Sequence, residues 1–90
     1  MRDMTAVTIA LPTRFYDVLR AYAAPRSEAA DALDVAAPGA SRIVKIVRCS
    51  EDVGEELKLI AVRYCPPAVA IIASALRAGR LQVRAIPPPY

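Results

Sequence analysis

The stretch Arg42–Leu76, RIVKIVRC-SEDVGEE-LKLIAVRYC-PP-AVAIIASAL, decides the fold of this chain. It opens with a run of β-branched and apolar residues and breaks at an acidic segment. A second run rich in β formers follows, then a double proline and the longest apolar block in the sequence. Arg42–Cys49 reads as a strand with apolar residues on both faces, Ile43, Val47 and Cys49 on one and Val44 and Ile46 on the other. What Glu56–Cys65 becomes sets everything else.

Two readings compete for it. In the first, Leu57–Cys65 is a strand and Ser50–Glu56 a hairpin loop; the proline after Cys65 pushes that residue towards extended geometry. In the second, Ser50 caps a helix whose first turn carries Glu51 and Asp52, favourable to the helix dipole. Val53, Leu57, Ile60 and Tyr64 line that helix, and Pro66 ends it. Gly54 costs a helix about 1 kcal/mol, and LIAVRYC holds more β formers than helix formers. The strand reading is therefore preferred.

Outward from this stretch, Thr5–Leu11 alternates, with Val7, Ile9 and Leu11 on one face, and reads as a half-buried strand stopped by Pro12. Thr13 is the expected N-cap of a helix over Arg14–Ala24, striped by Phe15, Val18, Leu19 and Tyr22. Ser27–Val35 has room for a short helical turn, and Ala36–Ser41 reads as a loop. Pro66 or Pro67 opens a last helix with Val69, Ile72 and Leu76 in one stripe, weakened at Gly79 and ended by the prolines after Ile86. The expected fold is α+β, a two-layer β-α-β-β-α domain with a three-stranded antiparallel sheet and helices on one face. It spans residues 1–90, with 86–90 as a Pro-rich tail.

Composition narrows the function. Ninety residues make one small domain, yet 56% of them are hydrophobic, more apolar surface than so small an interior hides. Some of it is expected to face a partner, and a homodimer is the simplest one. The net charge of +3 permits nucleic-acid contact without demanding it, and no acid follows Glu56. Asn, His and Trp are absent and Arg outnumbers Lys, the composition of a heat-adapted prokaryote, archaeal or bacterial. No leader or membrane-spanning run is read, so a cytoplasmic protein without membrane contact is expected. No catalytic motif appears, so no enzyme, cofactor or metal is expected.

With the hairpin in place, the chain resembles the small dimerising subunit of the KEOPS complex, the Pcc family. The matching pieces are VTIALP, FYDVLRAYAAP, RIVKIVRC, LKLIAVRYC and the segment Ser74-Ala75-Leu76-Arg77. The chain departs from the family at Pro66-Pro67 and at Gly79. The resemblance implies a non-catalytic accessory subunit that dimerises and docks on the catalytic subunit of a complex making threonylcarbamoyladenosine in tRNA. The helical reading, capped by Ser50 and ended by Pro66, is instead similar to ribbon-helix-helix DNA-binding regulators. Ala61, Ile72, Ala75 and Leu76 then fall at that family's spacing, and Val7-Ile9-Leu11-Pro12-Phe15-Leu19-Ala23 reads as a weaker second copy. Such a ribbon would point Thr8, Ala10, Val44, Ile46 and Arg48 at DNA, a poor set for reading base edges.

The expected partner-binding residues are Val44 and Ile46 on the strand and Ile71, Ala75 and Ala78 on the last helix. Arg77, Arg80 and Arg84 recur on one helical face and are the candidate contacts to tRNA phosphates. Cys49 and Cys65 are expected as free thiols, because either reading separates them by over about 20 Å. The carboxylates of Ser50–Glu56 read as a solvated turn, and PPPY at residues 87–90, which matches a WW-domain ligand, as a plain tail.

Overall fold

Val7, Ile9 and Leu11 alternate with Ala6, Thr8 and Ala10. In the computed structural model, which describes residues 6–39 and 42–84, that alternation forms strand β1 (Ala6–Pro12), its odd-numbered side chains buried. Two helices follow, α1 (Thr13–Tyr22) and α2 (Glu28–Asp34). A two-residue strand β2 (Ala37–Pro38) leads to β3 (Val44–Ser50), and the chain closes with α3 (Glu51–Tyr64) and α4 (Pro66–Arg84). The sheet is antiparallel in the order β1-β3-β2.

The fold is α+β with a three-stranded antiparallel sheet whose inner face the helices cover. Val7, Ile9, Leu11 and Val47 from that face meet Leu19, Leu33, Leu57, Ile72 and Leu76 from the helices, all at most 1% exposed. Burying each of these large side chains contributes about 1.5–3 kcal/mol.

The order of elements differs from the expected one. Leu57–Cys65 is not a strand, and Ser50–Glu56 is not a hairpin loop: the whole segment is α3 and its cap. Ser50 Oγ accepts a hydrogen bond from the Val53 N–H at 3.2 Å, and Glu51 and Asp52 occupy the first turn. Gly54, which argued against the helix, sits where α4 crosses. A Cβ there would lie 2.7 Å from Leu76 Cδ2, so close packing replaces the lost propensity. The β formers of this run serve a helix because Leu57 and Ala61 are fully buried, and tertiary contact overrides intrinsic preference. The third strand comes from the segment read as a loop. β2 pairs with the edge of β3 through Ala37–Ile46 and Pro38–Lys45, and the Gly39 N–H donates to the Val44 carbonyl at 2.8 Å.

The first helix starts one residue early. Pro12 is its N-cap, and Thr13, expected to cap it, turns its hydroxyl to the Arg42 carbonyl at 3.1 Å. Tyr22 is not part of the core stripe: it is 55% exposed and stacks in parallel on Tyr64, ring centroids 3.9 Å apart. α2 is a true helix, capped by Ser27, whose Oγ accepts from the Ala30 N–H at 3.1 Å. Tyr16 ties it to α1 by donating its hydroxyl to the Leu33 carbonyl at 2.6 Å.

These elements form two copies of one strand-helix-helix unit. β3, α3 and α4 each begin 38 residues after β1, α1 and α2. Their N-caps Pro12 and Ser50 keep the same spacing. Buried residues follow it too: Ile9 and Val47, Leu19 and Leu57, Ala30 and Ala68. Ile9 and Val47 also face each other across the ladder, so the approximate twofold relating the copies passes through that pair.

Candidate binding face

The sheet face away from the helices is open. Across its two long strands Ala6 pairs with Ser50, Thr8 with Arg48, Ala10 with Ile46 and Pro12 with Val44. These side chains alternate with the buried set and therefore point to the opposite side. The face has two unlike ends. Around Thr8, Arg48 and Ser50 it is polar and two strands wide. Around Ala10, Ile46, Pro12 and Val44 it is apolar, and β2 adds Ala37 beside Ile46. Val44 and Ile46, read from sequence as outward-facing partner residues, lie on this face and are half-buried.

Arg48 is exposed, and no described residue of the face is acidic. Two nearby cations, Lys45 and Arg14, lie off it. Lys45 points inward at the rim, its Nζ 5.5 Å from the centroid of the Tyr16 ring, and Arg14 rests over Phe15. Carboxylates gather beyond the polar end, in the first turns of α3, where Glu55 pairs with Lys58 at 3.3 Å. They are not a hairpin loop but part of the helix. Among the described residues no group of three or more His, Cys, Asp or Glu is placed to hold a metal ion.

The residues expected on the last helix separate. Ile71 and Ala75 are half-buried and pack against the domain's own core, whereas Ala78 is exposed. The three do not make one open surface. Arg77 is exposed; the side chains of Arg80 and Arg84 lie outside the described residues, as does the 86–90 tail with its PPPY sequence. Both cysteines are free, Cys65 buried and Cys49 half-buried, and burial pushes the Cys49 thiol up from its ordinary value. No described helix is long and apolar enough to cross a membrane.

Sequence reasoning missed the third strand, since two residues containing a proline carry no strand signal. It also missed Leu59 and Val62, which stand exposed on the outer side of α3 between charged residues. The strand reading of this segment hid them, and the helical reading would have put them off the Val53-Leu57-Ile60-Tyr64 stripe. Comparison with known proteins gives no match: no family model fits the chain, and neither a curated protein nor a solved structure matches it significantly.

Proposed function

We propose that this chain is a tandem ribbon-helix-helix DNA-binding regulator, working in the cytoplasm, whose two strand-helix-helix units make one ribbon. The observation that carries the reading is the 38-residue spacing of strands and helices around the Ile9–Val47 pair. A two-stranded antiparallel ribbon backed by helices is a known way to enter a DNA major groove. The open face, with no acid among its described residues and Arg48 at its polar end, offers that ribbon to a polyanion. The test is fluorescence anisotropy of labelled duplex DNA against the purified protein as salt rises. Binding that weakens with salt, and that Arg48→Ala reduces by at least about fivefold, is expected. Binding indifferent to Arg48 sinks the reading.

A second reading is favoured by the apolar end of the same face, where Ala10, Val44 and Ile46 meet Ala37. A KEOPS-like accessory subunit would bury such a patch, against a second copy of itself or against the catalytic subunit of a tRNA-modifying complex, with Arg77 near tRNA. The strand over Leu57–Cys65 that such a fold needs is absent, the segment being helical to Tyr64 with Cys65 as its C-cap, and only the open face supports this alternative. A dimer in light scattering that Ile46→Arg converts to monomer, together with anisotropy showing no affinity for duplex DNA, would put it first.

A further inference from the structure

Resting on the DNA-binding reading, we infer that the ribbon recognises a non-palindromic duplex site, with its sequence information concentrated under the end that carries Thr8 and Arg48. A ribbon built from two identical chains shows the same side chains to both halves of its site, so the site mirrors the protein's twofold symmetry. Here the twofold through Ile9–Val47 relates Thr8 to Ile46, Ala10 to Arg48, Ala6 to Val44 and Pro12 to Ser50. Only Ala6 and Val44 stay alike, both aliphatic; the other three pairs change their chemistry. Hydrogen-bonding groups collect at one end and hydrocarbon at the other.

Width divides the two ends the same way. The major groove is about 12 Å wide and admits a two-stranded ribbon. Each added strand widens a sheet by about 4.8 Å. β2 adds its strand only beside Lys45 and Ile46, so the apolar end stands too wide for the groove and the two-stranded end enters it. From Ala6 to Ile9 that end spans about 10 Å, the rise of about three base pairs. Within that span an exposed guanidinium suits the O6 and N7 acceptors of a guanine, and the Thr8 hydroxyl beside it accepts or donates to a neighbouring base.

The experiment is selection of bound sequences from a random duplex library with the full chain, followed by binding to the enriched site. A non-palindromic motif with one fixed guanine is expected. Arg48→Ala, at an exposed position, should lower preference for that guanine by about 5- to 150-fold. N7-methylation of the same guanine should weaken the unaltered protein in parallel, a readout independent of any folding defect. An inverted-repeat motif, or binding without any motif, overturns the inference while leaving DNA binding in place. No retained DNA at all removes the DNA-binding reading, and the inference with it.

Discussion

The two strand-helix-helix units begin alike and end differently. The first has helices of 10 and 7 residues; the second has helices of 14 and 19. The long α4 reaches across to β1, where a Cβ on Gly79 would sit 3.4 Å from Val7 Cγ2. Val7 is 1% exposed as a result. Its counterpart in the second unit is Lys45, which no equivalent length of α2 covers, and it keeps its ammonium at the rim against Tyr16. Helix length thus decides which end of an approximately symmetric sheet is sealed. It also decides where a lysine is tolerated on the inner face.

If the second unit is the better-packed one, truncations at matched positions should separate the two most. Leu57→Ala is expected to cost about 3–5 kcal/mol and Leu19→Ala about 2–3, because α3 packs along the long α4 as well as against α1, α2 and the sheet, while α1 has α3, the short α2 and the strands as its main neighbours and can settle. Denaturant titration measures both, and equal or reversed losses would break the comparison. A smaller effect sharpens it. Alanine in place of a helical glycine ordinarily gains about 1 kcal/mol. Gly79→Ala should keep most of that gain, since the new methyl meets Val7 at ordinary contact distance, whereas Gly54→Ala should lose about 1 kcal/mol net by displacing buried Leu76. Thermal melts that rank the two variants the other way contradict the close crossing of α3 and α4. The smallest effect is confined to the first unit. The Arg20–Asp34 ion pair joins α1 to α2 with both side chains about half exposed, so Asp34→Asn should change stability by less than about 0.5 kcal/mol.

The sequence was most legible where one period ruled. Val7, Ile9 and Leu11 announced β1, and Val44 and Ile46 announced the outward side of β3, because alternation needs no knowledge of the rest of the fold. It misled where local preference opposed a distant contact. Gly54 and the β formers of 59–65 argue for a strand only so long as Leu76 and the other helices are unknown. The cap at Ser50 is legible in the sequence, and Val7-Ile9-Leu11-Pro12-Phe15-Leu19-Ala23 reads as a weaker copy, but neither outweighs propensity. For the candidate face, the outward residues were legible and their grouping into a polar and an apolar end was not. That grouping depends on the register Thr8–Arg48 and Ala10–Ile46, which only the pairing of strands distant in sequence supplies.

Because both units lie on one chain, the contact between β1 and β3 carries no dissociation constant. A ribbon assembled from separate chains loses half its partners on dilution, and its melting temperature falls with concentration. In this protein the segment between α2 and β3 holds the second strand at a fixed local concentration, however few molecules are present. The ribbon therefore survives at copy numbers where a two-chain version would come apart.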